Sequence, residues 1–454
     1  MKNLTIDALA AACGGALCGT APAGEISAVV TDSRKVTPGC LFAAIRGEQV
    51  DGHDYVNQSF AQGAACAVVE RVPEGAEGCM ILVPDTLAAL QKIASFYREQ
   101  FPALPVIGVT GSVGKTTAKE MLWAVLSRKY DTHKTAGNYN NDLGVPLTLF
   151  GLREGHGAAV VELGVSHPGD MARIASIARP TMALYTNIGD AHLEFLGSRE
   201  GILREKSAMN AWLPAEGAVF CNGDDPLLAG MLCKQRKVTF GLGEGNAVRA
   251  ANLAMLPDAT TACTVIAGER RFDVVIPAFG EHLVYAALGA AAVGLEMGLT
   301  PEEIAAGISA YAPVGSRGRL LHTGFLTVVD DCYNANPTSA AAAIRSLARL
   351  PGRKVCILGD MLELGERSAA LHRETGALAR DCGIDLVLTV GPEAEQIAAG
   401  AGDVARQFSD KPALLAALSS LLLPGDTVLV KASRGMRFEE IVAFLEELRP
   451  CAGE

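Results

Sequence analysis

The chain has 454 residues, and at roughly 150 residues per domain this length suggests about three domains. Its 39 basic and 50 acidic side chains give a net charge of −11, which argues against nucleic-acid binding through phosphate neutralisation. Hydrophobic residues make up 49% of the chain, so a disordered polypeptide is excluded. No apolar run reaches the roughly 18 residues of a membrane helix. We therefore expect a soluble, cytoplasmic protein without membrane insertion.

The N-terminus and the cysteines carry no export or metal signal. The segment 9–13 faintly resembles a lipoprotein cleavage site, but Asp7 interrupts the apolar stretch and Lys2 is the only basic residue before it. An amphipathic first helix is the better interpretation. The twelve cysteines form no C-x-x-C pair and no zinc spacing, which predicts reduced, mostly buried thiols.

Short apolar runs alternate with helical patterns over residues 1–103 and predict a first α/β domain. A helix over 87–101 closes this domain, and Pro102 and Pro105 mark its boundary. The predicted strands are 26–31, 41–45, 65–69 and 80–83.

The α/β alternation is clearer over residues 104–312, where short, continuous apolar strands are typical of a parallel sheet buried on both faces. Residues 248–277 break the rhythm and predict an inserted antiparallel patch around a turn at 267–269. A helix over 282–297 follows. The predicted parallel strands are 106–109, 158–162, 182–186, 218–221 and 237–240.

A linker-like segment at 312–317 precedes a third domain, 313–454, with a second open α/β sheet of the dinucleotide-binding kind. It has no G-x-G-x-x-G fingerprint after its first strand. Its predicted strands are 326–329, 355–358, 386–390 and 427–430. The predicted fold class is thus α/β, with three domains and a mainly parallel central sheet.

The segment 106–117 joins a predicted strand to a helix and contains G-K-T-T, which predicts a phosphate-binding loop. Lys115 would contact the β- and γ-phosphates, and Thr116 would offer its hydroxyl to Mg²⁺. The strict pattern has a glycine where this chain has Val109. A nucleoside triphosphate is the expected ligand, and the lack of an N-K-x-D motif argues against a GTPase.

Two further side chains follow predicted strands, where the ends of parallel strands face the ligand crevice. Glu162 ends one strand and His192 follows another, so both are candidate Mg²⁺ ligands. Taken singly, Glu162 could be a helix cap and His192 a loop histidine. Lys206 is a plain helical lysine by its pattern.

Several segments together resemble the Mur ligases, a family of ATP-dependent enzymes that add amino acids to the peptidoglycan precursor. The D-D-x-Y-N-A-N-P and L-G-D-M-x-E-L-G strings most resemble members that add D-alanyl-D-alanine to UDP-N-acetylmuramoyl-tripeptide. The matching segments are 31–34, 38–43, 51–54, 110–117, 137–146, 162–169, 186–194, 330–337 and 358–365.

The resemblance implies a UDP-binding first domain, a central ATPase domain and a Rossmann-like C-terminal domain. With it we expect a bacterial enzyme that is a monomer. It implies two Mg²⁺ ions, with Thr116 and Glu162 on one and His192 on the other. It also implies that CO₂ carbamylates Lys206, which turns a cation into a metal-binding carboxylate. The implied ATP-binding residues are Thr110, Gly111, Ser112, Val113, Gly114, Lys115, Thr116, Thr117, Arg319 and Asp331. The implied substrate-binding residues are Ser33 and Arg34 for UDP, Asn138, Asn140 and Asn141 for the muramoyl peptide, and Lys431, Ser433 and Arg434 for the dipeptide.

The implied chemistry suits these residue types. The γ-phosphoryl group of ATP moves onto a carboxylate, and the amine of the dipeptide attacks the resulting acyl phosphate. Lys115, Glu162, His192 and Lys206 would form the catalytic set, and domain closure would keep water away.

The chain departs from the family pattern at three places. His282-Leu-Val-Tyr-Ala286 stands where H-N-x-x-N is usual, so we expect Leu283 to pack on the base and GTP or ITP to be accepted more readily than in a relative with asparagine. Ala432 and Ser207 each replace a usual glycine.

Two alternatives stay open. A sibling Mur or folylpolyglutamate-type ligase would take another amino acid, although the D-N-P-R type string expected for diaminopimelate does not occur. A non-catalytic, ligase-like binding partner would not need the four candidate catalytic residues. The sequence leaves open whether the tripeptide carries lysine or diaminopimelate.

Overall fold

The computed structural model describes residues 1–47, 49–256, 260–277 and 280–449. The described residues form three sheets that follow one another along the chain, with five, nine and six strands.

The first sheet has the strand order β1-β5-β4-β3-β2, in which only the β1–β5 pair is antiparallel. The expected amphipathic first helix is α1, capped by the side chain of Thr5 and burying Leu9 and Cys13. The elements are α1 (Ile6–Cys13), β1 (Ala16–Cys18), β2 (Val29–Val30), β3 (Leu41–Ala43), α2 (Val56–Ala61), β4 (Cys66–Val69), β5 (Met80–Leu82) and α3 (Thr86–Glu99).

Helix α3 joins the first sheet to the rest of the molecule. Buried Arg98 donates hydrogen bonds to the carbonyls of Ala178 and Arg179, and the hydroxyl of Tyr97 donates to the carbonyl of Leu152. The apolar side chains of α1 and α3 belong to the same hydrophobic core as those on one face of the central sheet. The first two domains therefore share one hydrophobic core.

The central sheet has the order β14-β13-β12-β11-β10-β9-β6-β8-β7, and the expected antiparallel patch is β12–β14 at one edge. The strands are β6 (Val106–Thr110), β7 (Thr132–Lys134), β8 (Ala158–Glu162), β9 (Met182–Tyr185), β10 (Ala218–Asn222), β11 (Arg236–Gly241), β12 (Val248–Met255), β13 (Thr261–Ala267) and β14 (Arg270–Ile276). The helices are α4 (Lys115–Leu126), α5 (Gly144–Leu149), α6 (Asp170–Ala178), α7 (Leu193–Leu196), α8 (Arg199–Ser207), α9 (Pro226–Ala229), α10 (Glu281–Glu296) and α11 (Pro301–Ser309).

The third sheet has the order β15-β16-β20-β17-β18-β19, parallel except for β15, with a separate apolar core on each face. Its strands are β15 (Arg319–His322), β16 (Thr327–Asp330), β17 (Lys354–Gly359), β18 (Leu386–Val390), β19 (Ala405–Phe408) and β20 (Thr427–Lys431). Its helices are α12 (Pro337–Leu347), α13 (Ser368–Asp381), α14 (Ala394–Ala401), α15 (Lys411–Leu421) and α16 (Glu439–Glu447).

The central sheet places the candidate site. Strand β6 lies between β8 and β9, and Val109 is paired with Glu162. The loops after β6, β8 and β9 therefore leave the sheet side by side at its carboxyl edge, where open α/β sheets bind ligands.

Candidate active site

The phosphate loop connects β6 to α4 in the predicted way. Gly111 must be a glycine, because a Cβ there would lie 1.9 Å from Oγ1 of Thr186. The hydroxyl of Thr186, directly after β9, donates to the carbonyl of Val113 at 2.6 Å and thereby holds the loop in place. Lys115 Nζ donates to the carbonyl of Gly111 at 2.8 Å, so the side chain of this lysine folds back onto the loop. Burial lowers the pKa of this lysine.

Glu162 is the centre of a buried polar network. Its Oε2 accepts from Thr116 Oγ1 at 3.0 Å, and its Oε1 accepts from Asn140 Nδ2 at 2.8 Å. Lys119 Nζ lies 3.5 Å from Oε2 and donates to the carbonyl of Gly137 at 3.0 Å. The sequence analysis did not select Lys119. Its spacing of four residues from Lys115 places both lysines on one face of α4 and could have indicated it.

His192 meets a carboxylate from the third domain. Its Nδ1 lies 2.5 Å from Oε2 of Glu363, and this hydrogen bond lowers the pKa of the glutamate. The sequence analysis recognised the segment 358–365 around Glu363 but gave this residue no role.

Lys206 is fully buried on α8, and its Nζ has no hydrogen-bond partner. Burial lowers its pKa well below the usual range, and the charge of Lys115 acts in the same direction. This setting favours the neutral form of the amine, because an unpaired buried ammonium is costly.

The third domain contributes a second polar cluster. Lys431 Nζ contacts Asp331 Oδ2 at 2.6 Å and donates to the carbonyl of Asn334 at 3.1 Å. The guanidinium of Arg317 lies 3.6 Å from the ring centre of Tyr333, and that of Arg434 lies 5.5 Å from it.

The central and third domains enclose one cavity of about 380 Å³. The predicted site residues that line it are Ser112, Val113, Gly114, Lys115, Thr116, Thr117, Asn138, Asn140, Asn141, Glu162, His192, Asp331 and Lys431. The predicted residues that do not line it are Ser33, Arg34, Thr110, Gly111, Lys206, Arg319, Ser433 and Arg434.

Arg319 requires a correction. The structure places it on exposed β15, where it faces Asp330 and Glu446, each at 3.5 Å. Arg317, two residues earlier, lines the cavity instead. The two arginines flank Gly318, and the sequence alone does not show which one lines the cavity.

Several other predicted residues lie outside the cavity for clear reasons. Arg34 is in the first domain and pairs with Asp32. Ser433 binds backbone groups instead of facing the cavity. Its Oγ accepts from the amide of Leu362 at 2.9 Å and donates to the carbonyl of Ala335. Thr110 is buried and donates to the carbonyl of Leu163.

The apolar end of the cavity corrects the expectation for Leu283. This side chain is 5% exposed and packs in the core of α10, whereas Tyr285 and Ala286 line the cavity. The Tyr285 hydroxyl donates to Asp224 at 3.1 Å. The structure therefore places Leu283 outside the cavity, where the expected contact with a base would not form.

Leu283→Asn should destabilise the fold by about 3 kcal/mol, because it replaces a buried aliphatic side chain by an amide. Urea unfolding measures this loss, and the ratio of ATP to GTP turnover should stay unchanged. Leu232→Asn is the matched control, since Leu232 is 94% exposed and should tolerate the change. An altered nucleotide ratio with unaltered stability would contradict this assignment.

Three family models match the chain: the Mur ligase family catalytic domain over residues 25–98, the Mur ligase middle domain over 109–294, and the Mur ligase glutamate ligase domain over 316–434. The chain is also 40% identical over 432 residues to the UDP-N-acetylmuramoyl-tripeptide–D-alanyl-D-alanine ligase of Bacillus subtilis, covering 93% of each protein. The chain is a Mur ligase. The resemblance inferred from the motifs is confirmed.

Solved structures agree with this assignment. This Mur ligase superposes on crystal structure I of MurF from Acinetobacter baumannii with a TM-score of 0.91 and 34% identity, covering 98% of this chain and 99% of that one. It also resembles MurF from Thermotoga maritima, solved in complex with ADP, with a TM-score of 0.84, 30% identity and coverage of 92% and 97%. The three-domain α/β architecture is confirmed.

In the described part of the chain, no helix combines the length and apolar character needed to cross a bilayer. Its eleven described cysteines are free thiols, as expected.

Proposed function

We propose that this Mur ligase joins D-alanyl-D-alanine to UDP-N-acetylmuramoyl-tripeptide in peptidoglycan precursor synthesis, forming ADP and phosphate. One observation carries the proposal. The phosphate loop of the central domain and the D-D-x-Y-N-A-N-P segment of the third domain line the same cavity. The relatives named above, with 40% and 34% identity over nearly the whole chain, support the same substrates.

The residues that line the cavity suit phosphoryl transfer. Lys115 belongs to the phosphate loop and Arg317 lines the same cavity, and Lys115 would exchange its loop carbonyls for phosphate oxygens. Both cations would stabilise the negative charge of the transferred phosphoryl group. Asn138 and Asn141 would hold the peptide carboxylate in line, and Asp331 would contact the nucleotide from the other domain.

The side chains that meet at Glu162 fit Mg²⁺. Thr116 and Glu162 supply oxygen ligands, and His192 presents a ring nitrogen to the same cavity. No three His, Cys, Asp or Glu side chains of the described chain cluster as a metal site, so a further ligand is needed. When bound, the ions would neutralise phosphate charge and lower the barrier to phosphoryl transfer.

Lys206 would supply that ligand as a carbamate. A neutral, unpartnered amine is the nucleophilic form that CO₂ requires, and the N–C bond forms as the nitrogen loses a proton. The product is an anion, which suits a buried position near Lys115. The orphaned nitrogen thus fits the modification that the family pattern implies.

The two peptide substrates would approach from opposite sides. Ser33 and Arg34 would bind the UDP end on the first domain. The carboxylate of the tripeptide would take the γ-phosphoryl group, and the dipeptide amine would then displace phosphate from the acyl phosphate. Lys431, Ser433 and Arg434 would hold the dipeptide on the third domain.

We further propose domain limits at 103/104 and 312/313, a monomeric state and a cytoplasmic location. Each limit falls between two sheets, after α3 and after α11.

ADP release should require UDP-N-acetylmuramoyl-tripeptide, ATP and D-alanyl-D-alanine together, and D-alanine or L-lysine alone should not replace the dipeptide. With ¹⁸O in the terminal carboxylate of the tripeptide, one labelled oxygen should appear in the released phosphate, because the acyl phosphate breaks at its carbonyl carbon. Unlabelled phosphate would exclude the acyl phosphate, and turnover with a single amino acid would exclude the proposed substrate.

A further inference from the structure

The third domain makes several hydrogen bonds to the loop that carries His192. Glu363 contacts the Nδ1 atom of His192, and its backbone carbonyl accepts from the amide of Glu194 at 3.3 Å. Thr338 Oγ1, at the start of α12, accepts from the amide of Asp190 at 3.3 Å. The loop 189–194 is therefore held at both ends by residues of another domain.

The fit between these two segments is close and conformationally demanding. His192 has a φ of 58° and Glu363 a φ of 62°, a region that non-glycine residues adopt only when their surroundings enforce it. A Cβ on Gly189 would lie 2.4 Å from Oγ1 of Thr338. Two unusual backbone conformations thus meet across a domain boundary, side chain to side chain.

We infer that Glu363 is a positioning residue, which orients the His192 ring only when the third domain is docked, so that the metal-ligand set of the central domain is complete only in the closed enzyme. A carboxylate can only accept, so Nδ1 of His192 carries the proton and donates it. The Nε2 lone pair is then left for a metal ion in the cavity. This inference rests on the proposed metal role of His192.

Docking itself does not depend on Glu363. The side chain is 46% exposed, and an exposed contact of this kind adds little adhesion. Met361 and Leu364, on either side of it, are 2% and 3% exposed and belong to the core shared with the central domain. Removing the carboxylate should therefore free the His192 ring and leave the domains together.

Docking of the third domain would also link dipeptide binding to phosphoryl transfer. The third domain carries the proposed dipeptide site, so dipeptide binding that favours docking would also complete the ligand set around ATP. Phosphoryl transfer would then be slow until both peptide substrates are present, which limits wasteful hydrolysis of ATP.

Mn²⁺ binding to the full-length protein with ADP and D-alanyl-D-alanine tests this without turnover, because the dipeptide favours docking and no ATP is present. Free Mn²⁺ is followed by EPR during titration of wild type, Glu363→Ala, Glu363→Gln and His192→Ala. Glu363→Ala should weaken binding at one site by about 10- to 100-fold. Glu363→Gln should stay within about threefold of wild type, because its amide oxygen still accepts from Nδ1. Glu366→Ala is the control, as Glu366 is an exposed carboxylate three residues along.

Small-angle scattering of the same variants reports docking. The radius of gyration of Glu363→Ala should equal that of wild type. An increase would show that Glu363 holds the domains together, which would overturn the positioning role. If His192→Ala loses affinity and Glu363→Ala does not, the inference alone fails. If His192→Ala binds Mn²⁺ normally, the proposed metal role of His192 fails, and the inference fails with it.

Discussion

Lys115→Ala should lower kcat by about 10³-fold at saturating substrate, because phosphoryl transfer would then lack the cation that we propose contacts the triphosphate. The KM for UDP-N-acetylmuramoyl-tripeptide should change by only a few-fold, since the proposed UDP site lies on the first domain. Steady-state ADP release measures both values.

Lys234→Ala is the matched control, because Lys234 is an exposed lysine of the same domain. Its kcat should equal that of wild type. A kcat for Lys115→Ala within tenfold of wild type would remove this lysine from the phosphate site.

Lys206→Ala should lower kcat by at least about 10²-fold, because the metal site would lack one anionic ligand and its contribution of several kcal/mol to the transition state. Added acetate or propionate should restore part of the activity by occupying the space of the carbamate. Steady-state ADP release with and without the carboxylate measures the rescue.

Arg204→Ala is the control on the same helix, since its side chain is exposed. Wild type freed of CO₂ should lose activity and regain it with bicarbonate. Full activity of Lys206→Ala would exclude the carbamate, and loss without rescue or CO₂ dependence would indicate a purely structural lysine.

The interior strands of the described sheets could be predicted from the sequence, whereas four of their six edge strands could not. Strands such as β8 and β18 are buried on both faces, so they appear as continuous apolar runs. The sequence analysis missed β1, β7, β15 and β19, and each of these lies at the edge of its sheet. β19, with the sequence Ala-Arg-Gln-Phe, is half polar because one side of an edge strand meets solvent.

The site residues also differ in whether the sequence alone could predict them. The phosphate loop and Glu162 follow local rules, since a glycine-rich turn and a strand-end carboxylate point to their own roles. Glu363 contacts His192 across a domain boundary, and Arg317 lines the same cavity as the phosphate loop of another domain, which no local pattern contains. Lys206 is a special case, because only the fold shows that its amine is buried without a partner.

The core shared by the first two domains has a further consequence. Because Arg98 and Tyr97 fasten α3 to the central domain, the distance between the proposed UDP site at Arg34 and the phosphate loop at Lys115 is set by packed side chains. A nucleotide-linked peptide anchored at one end can present its carboxylate to ATP only if its length matches that span. The fixed distance between the two domains would then exclude precursors whose peptide is one residue too short.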